Sequence, residues 1–173
     1  SYATGSPDAG FYIGQCYPCD AIVNNVVSEY NGLGYSGTNS GGSLYITSSI
    51  FRNNKGGLAP NTLDSELLPP ERETFIIGNL IENNNNYNSP ATNSTYLSYG
   101  NGVVIAGGNN NIIKNNVIVD HDLYGVILTA SMDVNYWPAH GNRVEENLIL
   151  SSRKADIAVS GVSNLANCFE GNY

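Results

Sequence analysis

The sequence predicts an all-β solenoid of about six coils, in which short strands stack along a common axis. Two short patterns alternate through the 173 residues, and neither has helical periodicity. Copies of the first pattern lie about 24 residues apart, as between Asn25 and Ser49 and between Asn147 and Asn172. A coil of this length holds two or three short strands joined by tight turns.

The first pattern is an apolar residue, two variable residues, Asn or a substitute, and two mostly apolar residues. Its copies begin at Ile22, Ile46, Ile76, Ile113, Val144 and Phe169. With coils about 4.8 Å apart, this predicts one column formed by Asn25, Asn79, Asn116 and Asn147. Side-chain amides in such a column bond along the axis. Asn also tolerates the left-handed backbone of sharp turns.

The second pattern is Gly followed by a short apolar strand. Its copies begin at Gly10, Gly34, Gly57, Gly102 and Gly125, and Asp156 stands where a further Gly is expected. These strand-length apolar segments support the all-β interpretation.

These residues resemble the repeats of right-handed parallel β-helix proteins, whose fold is shared with pectate lyases. The opening Gly10-Phe11-Tyr12-Ile13-Gly14-Gln15 and the ending Asn167-Cys168-Phe169-Glu170-Gly171-Asn172 are similar to those of a subgroup of secreted bacterial β-helix proteins of uncertain function. The resemblance covers nearly the whole chain and implies one right-handed parallel β-helix domain over residues 1–173. It leaves function open, because this fold hosts lyases, hydrolases, epimerases, adhesins and spacers.

Charge and composition restrict the partners. A net charge of −8, with seven Lys and Arg residues, repels phosphate backbones and argues against nucleic acid. No apolar run approaches the roughly 20 residues of a membrane helix, which argues against membrane insertion. Few Lys, many Asn and Tyr, and a sequon at Asn93-Ser94-Thr95 indicate an extracellular or cell-surface protein. The start at Ser1 without a signal peptide indicates a mature protein or a piece of a longer chain.

Three insertions lengthen particular coils, at about residues 60–73, 84–100 and 129–141. The first and third follow a Gly-led strand and should leave from the same turn, whereas the coil between them carries no loop. With coils about 4.8 Å apart, this predicts a slot roughly 10 Å wide over the fourth coil. The second insertion should leave from another turn as a surface flap.

The loops beside the predicted slot carry the candidate polysaccharide-binding residues. These are Glu66, Arg72, Asp133, Tyr136, Trp137 and His140. Trp137 is the sole tryptophan, and its ring on an inserted turn could serve as a platform for sugar. Alternatively, Trp137 and Tyr136 fold back over the solenoid. A glycosidase would need facing carboxylates, such as Glu66 or Asp64 against Asp133.

Asp120, His121, Asp122 and Tyr124 form the densest cluster of ionisable groups. A polyuronate lyase or epimerase needs a group that neutralises the uronate, a base and an acid, and these four residues could supply them. The string resembles the Asp, His and Tyr cluster of alginate epimerases but lacks their Asp-Pro-His order. The alternative is a polar turn between two strands.

Calcium is the one cofactor that the sequence suggests, with Asp120, Asp122 and Asp133 as candidate ligands. Neither an EF-hand nor a nonapeptide calcium pattern is present, and ordinary acidic surface residues are the alternative.

Cys16 and Cys19 are predicted to form a structural disulfide, because a turn brings the Cα atoms of residues i and i+3 within about 7 Å. A redox site would need a following helix, and a zinc site would need further ligands nearby. Cys168 is expected to be a free thiol in an interior stack.

The leading functional hypothesis is an extracellular β-helix module that contacts polysaccharide. The alternatives are a polyuronate lyase or epimerase, and a structural spacer or adhesin segment; the sequence leaves open whether the protein is an enzyme. Open solenoid ends expose unpaired strand edges, so end-on self-association or flanking domains are expected.

Overall fold

The computed structural model describes residues 1–91, 98–161 and 166–173. The chain forms a right-handed parallel β-helix of about six coils, which confirms the predicted fold class. Three parallel sheets of six strands stack in coil order, and each full coil contributes one strand to each sheet.

The strands are short and regular. Sheet A consists of β1 (Tyr2–Thr4), β4 (Val27–Glu29), β7 (Ile50–Arg52), β10 (Leu80–Glu82), β13 (Val117–Val119) and β18 (Leu148–Leu150). Sheet B consists of β2 (Ala9–Tyr12), β5 (Leu33–Thr38), β8 (Gly56–Asn61), β11 (Val103–Ala106), β14 (Tyr124–Thr129) and β19 (Ala155–Ser160). Sheet C consists of β3 (Ala21–Asn24), β6 (Gly41–Thr47), β9 (Arg72–Ile77), β12 (Ile112–Lys114), β17 (Arg143–Glu145) and β20 (Cys168–Glu170). A small antiparallel hairpin, β15 (Ser131–Met132) and β16 (Tyr136–Trp137), lies within the third insertion.

The core is built from columns of apolar side chains, one column per sheet. In sheet C, Ile46, Ile76 and Ile113 align in successive coils and are fully buried. Sheet A stacks Phe51 over Ile81 in the same manner. Because strand residues alternate between faces, the central residue of each three-residue strand points inward and its neighbours point outward. Burial of each such side chain contributes about 1.5–3 kcal/mol to stability.

The corner between sheets C and A contains the predicted asparagine ladder. Asn79, Asn116, Asn147 and Asn172 stack in successive coils. The backbone N–H and the side-chain Nδ2 of each Asn donate to the Oδ1 of the next, at 2.9–3.1 Å. The column is therefore confirmed for Asn79, Asn116 and Asn147.

The prediction that Asn25 belongs to this column is wrong. Val23 aligns with Ile46 in the sheet, so the first copy of the pattern is displaced by one residue. This displacement places Ile22 on the outer face, where it is 69% exposed. Asn25 adopts a left-handed turn conformation with φ of 53°, and Val26 occupies the ladder position instead.

Two further asparagine ladders, which the sequence analysis missed, line the other corners. At the corner between sheets A and B, Asn31, Asn54 and Asn84 bond in series through the same backbone and side-chain donors, at 2.9–3.2 Å. At the corner between sheets B and C, a ladder of this type runs through Asn111, Asn142 and Asn167. These ladders pair the buried backbone and side-chain amides of their asparagines at each of the three corners.

The repeated glycines lie near the start of the sheet B strands, next to the A–B corner. They form one column of the sheet: Gly10, Gly34, Gly57, Gly102 and Gly125. A Cβ on Gly34 would lie 3.0 Å from Asn54 Nδ2, and a Cβ on Gly102 would lie 3.0 Å from His121 Cε1. At Gly57 and Gly102 a Cβ would also meet the carbonyl oxygen of the next glycine in the column, so the Gly pattern follows from close packing against both the ladder and the neighbouring strand.

Insertions 60–73 and 129–141 both leave from the B–C corner, whereas 84–100 leaves from the A–B corner. In the described part of 84–100, Asn86 and Ser89 donate to the backbone of residues 53 and 54, so this insertion packs along the third coil.

Candidate functional site

A groove of about 560 Å³ runs across the outer face of sheet B and is the candidate functional site. Its floor consists of outward-facing side chains of β5, β8, β11 and β14: Ser36, Thr38, Ala59, Asn61, Val104, Ala106 and Thr129. These residues share a face because alternate strand positions point outward. Their side chains are small, so the floor lies deep between the loops at either edge.

Hydrogen bonds fix the polar part of this floor. Thr38 Oγ1 donates to Asn61 Oδ1 at 3.1 Å. Asn61 Nδ2 donates to Ala59 O at 2.8 Å and, at 3.4 Å, to Ser36 Oγ. The floor therefore offers positioned hydroxyl and amide groups to a ligand.

The walls of the groove come from segments at the two ends of the strands. Asp8, directly before β2, lies at the N-terminal end of the strands, and Glu66 in insertion 60–73 lies beyond their C-terminal end. Tyr12 reaches across from β2, and its hydroxyl donates to Glu66 Oε2 at 2.9 Å. Burial and this hydrogen bond raise the pKa of Tyr12 above its ordinary value, so the phenol stays protonated.

The two loops predicted to flank an open slot over the fourth coil bond to each other. Asp133 Oδ2 accepts hydrogen bonds from the backbone N–H of Asp64 and Ser65, at 2.9 and 3.2 Å. The Asp64 carboxylate in turn accepts from the backbone and Nδ2 of Asn135 and from Trp137 Nε1. The prediction of two separate loops is therefore wrong, whereas residues of both loops and of the fourth coil do line the groove.

Glu66 is the one predicted polysaccharide-binding residue that lines the groove. Asp133 and Trp137 belong to the contact between the loops, and Tyr136 lies half-exposed in the hairpin opposite Met132.

Arg72 and His140 also lie away from the groove lining. The Arg72 guanidinium lies 3.7 Å from the centre of the Tyr17 ring and donates to Pro70 O at 2.6 Å. His140 is exposed, and its backbone bonds to Gly108 and Asn110.

The predicted catalytic cluster lies at the A–B corner, in a separate pocket of about 180 Å³. Its lining is Asn85, Asp120, His121, Asp122, Ser151 and Arg153. The Asp122 carboxylate accepts from Tyr99 OH at 2.8 Å and from Arg153 at 3.3 Å. These contacts, with Tyr99 the larger cause, lower the pKa of Asp122. Tyr124 stands apart, with Lys154 Nζ 5.8 Å from the centre of its ring.

His121 occupies the next step of the A–B corner ladder. It is 1% exposed, and its Nε2 lies 3.4 Å from Asn84 Nδ2. Because an amide nitrogen donates, Nε2 accepts and the ring proton is assigned to Nδ1, which has no partner. Burial lowers the pKa of His121 to about 4. The ring is neutral at physiological pH and continues the ladder imperfectly.

Replacing His121 by Asn is expected to stabilise the protein by about 1 kcal/mol, because Asn can accept both donors of Asn84 as Asn84 accepts those of Asn54. The pKa of His121 is lower in the folded protein than its ordinary value of 6.5. The neutral ring therefore contributes its full stability above pH 6.5, and the protein loses that stability as the pH falls toward 4. Urea unfolding at pH 7 and pH 5 should show a larger gain at pH 5. His140→Asn, at an exposed site, is the control, and an unchanged or less stable His121→Asn variant would refute the ladder assignment.

The turn that carries the two paired cysteines supports the groove wall. Cys16 and Cys19 form a disulfide with Cα atoms 4.9 Å apart. Between them, Tyr17 contacts Arg72, and its hydroxyl donates to Glu73 Oε2 at 2.8 Å. The first coil therefore holds the base of insertion 60–73.

Cys168 is exposed on the outer face of β20, so its predicted place in an interior stack is wrong. The adjacent Phe169 pairs with Val144 of the core. Because neighbouring strand residues point to opposite faces, Cys168 points outward. Among the described residues, Cys168, Glu145 and Glu170 are the three that bring potential metal-ligand atoms within 4.8 Å of one another. Arg143 and Lys114 already pair with Glu145.

The calcium candidates fall in two places, since Asp120 and Asp122 border the A–B corner pocket and Asp133 lies between the loops. The sequon at residues 93–95 lies outside the described residues.

Comparison with known proteins yields no matching family model, no matching curated protein and no matching solved structure. In the described ranges, no helix is both long and apolar enough to cross a membrane.

Proposed function

We propose that this protein is an extracellular β-helix module that binds polysaccharide in the groove on sheet B. The observation that carries the proposal is a groove whose floor holds positioned hydroxyl and amide groups beside small apolar side chains. Sugar rings present hydroxyls around their edges and C–H groups on their faces, so such a floor suits them. We further propose a place among pectate-lyase-like β-helix proteins of the secreted bacterial subgroup.

An extracellular location is supported by two features. The Cys16–Cys19 disulfide fits an oxidising compartment. The chain also has few charged side chains and many neutral polar ones.

The polyuronate lyase or epimerase hypothesis receives less support. Its candidate base, His121, is enclosed in the corner ladder with its basic Nε2 facing Asn84 Nδ2, and its low pKa makes it a weak base at neutral pH. Its cluster also lies outside the groove lining. The groove therefore favours binding over this chemistry.

Ala106→Trp is expected to weaken polysaccharide binding strongly, because Ala106 is a partly exposed floor residue and an indole there obstructs the groove. Val119→Trp is the matched control, since Val119 is a partly exposed residue of sheet A in a neighbouring part of the chain. Affinity should be measured by titration calorimetry against a panel of soluble polysaccharides. We expect at least a tenfold loss for Ala106→Trp and no loss for Val119→Trp.

Equal affinities of the two tryptophan variants would contradict the groove assignment. If the wild-type protein bound nothing in the panel, the spacer hypothesis would be preferred.

A further inference from the structure

The groove has an unusual balance of charge. Its lining includes two carboxylates, Asp8 and Glu66, and none of the protein's seven Lys and Arg residues. All seven cationic residues lie within the described ranges. Neither histidine lines the groove, as His121 is enclosed at the A–B corner and His140 lies on the B–C side.

Each cationic side chain has a contact elsewhere. Arg52 pairs with Glu29, Lys114 and Arg143 pair with Glu145, and Arg153 pairs with Asp122. Lys55 donates to Tyr87 O, Arg72 lies against Tyr17, and Lys154 lies near the Tyr124 ring. A ligand anion in the groove would therefore meet carboxylates and no compensating cation.

This charge balance opposes acidic sugars. Entry of a uronate or sulfate would remove its charge from water without an ion pair, and Asp8 and Glu66 would repel it. Neutral sugars meet no such cost, because their hydroxyls can donate to carboxylate oxygens in strong charge-assisted hydrogen bonds.

A single calcium ion does not remove this difficulty by joining the two walls. Asp8 precedes β2 and Glu66 follows β8, so the two residues belong to segments at opposite ends of the strands of sheet B. Ligands of one calcium ion must each lie within about 2.6 Å of it. Asp8 lies four residues before Tyr12, about 13 Å along the strand, whereas the Glu66 carboxylate bonds to the Tyr12 hydroxyl, so one calcium ion does not reach both carboxylates.

From these observations we infer that the groove selects uncharged polysaccharide and rejects polyuronates and sulfated glycans. This selectivity rests on the proposed function, since it concerns the same groove. It also predicts that Glu66 limits the binding of acidic glycans by its charge.

The test uses the whole chain and two sets of oligosaccharides of similar length. The neutral set contains xylan, mannan, galactan and β-glucan fragments, and the acidic set contains oligogalacturonate, oligoalginate and chondroitin sulfate. Affinities are measured by titration calorimetry at low and high salt, with and without calcium. We expect at least one neutral ligand to bind at least tenfold more tightly than every acidic one, with little effect of salt or calcium.

Glu66→Lys is expected to raise the affinity for an acidic ligand at least tenfold at low salt, and Glu66→Gln should raise it by a smaller factor. Glu170→Lys makes the same charge change at an exposed position of sheet C and should raise it little. Circular dichroism checks that each variant is folded, and Glu66→Gln keeps the test valid if the lysine variant does not fold.

The outcomes separate the two proposals. Binding of an acidic ligand as tightly as any neutral one, or no gain in either Glu66 variant, would overturn the inferred selectivity and leave polysaccharide binding standing. Absence of binding to both sets would overturn the proposed function itself.

Discussion

Asn116→Ala is expected to lower the free energy of unfolding by about 3–5 kcal/mol. The Asn116 amide is buried and makes four hydrogen bonds. Its Oδ1 accepts from the backbone and Nδ2 of Asn79, and its Nδ2 donates to Ile76 O and Asn147 Oδ1. Truncation leaves several buried groups unpaired, each at a cost of about 1–3 kcal/mol.

Guanidinium unfolding measures this loss directly. Asn24→Ala is the matched control, because Asn24 is exposed on the outer face of β3, and its change should stay within about 0.5 kcal/mol. A loss below about 1 kcal/mol for Asn116→Ala would show that the ladder contributes little to stability.

The second large effect concerns Glu71, a carboxyl buried at the B–C corner. It is fully enclosed, and Thr74 Oγ1 and Asn111 Nδ2 each donate to one of its oxygens at 2.8 Å. Desolvation outweighs these hydrogen bonds and raises the pKa of Glu71 from 4.5 to about 8. The side chain is therefore largely neutral in the folded protein at pH 7.

Because the folded-state pKa of Glu71 exceeds the unfolded value, its contribution to stability is complete below about pH 4.5 and is lost as pH rises through about 8. The shift corresponds to a loss of about 5 kcal/mol in the free energy of unfolding. Glu71→Gln stays neutral, so its stability should not fall over this range, and the variant should be more stable than the wild type at pH 9.

Urea unfolding at pH 5, 7 and 9 tests this prediction. Glu170→Gln, at an exposed carboxyl, should follow the wild-type profile. Parallel pH profiles for wild type and Glu71→Gln would contradict the assignment of a neutral buried Glu71.

The sequence predicts the solenoid well, because each coil repeats the same local requirements. An inward apolar residue fills the core, Asn satisfies the turn, and Gly allows the ladder and the neighbouring strand to approach closely. The spacing of these residues therefore carries most of the fold.

The error at Asn25 shows the limit of pattern alignment. Val26 replaces Asn in the first coil, so the neighbouring Asn25 matched the pattern one position early. In a strand, a shift of one residue exchanges the inner and outer faces. Ile22 can be recognised as an outward-facing residue only when the pairing of β3 with β6 is known. The sequence alone does not give that pairing.

The candidate site was less predictable, because it depends on contacts between distant segments. The bonds from Asp64 to Asn135 and Trp137 join residues more than 70 positions apart, and no local pattern encodes them. The groove floor left a weak signal, since Ser36, Ala59 and Ala106 are small residues at outward strand positions. Tyr12 was visible in the first Gly-led strand, but its bond to Glu66 was not.

The β-helix and its groove depend on coils that stack in register through their asparagines. Long-range HNCO spectroscopy of the isotopically labelled protein detects the coupling between an amide nitrogen and the carbonyl carbon that accepts its hydrogen bond. We predict correlations from the backbone amide of Asn79 to Cγ of Asn116, and from the backbone amide of Asn116 to Cγ of Asn147. Correlations of these amides to other carbonyl groups would contradict the stacked ladder and, with it, the groove built on the same register.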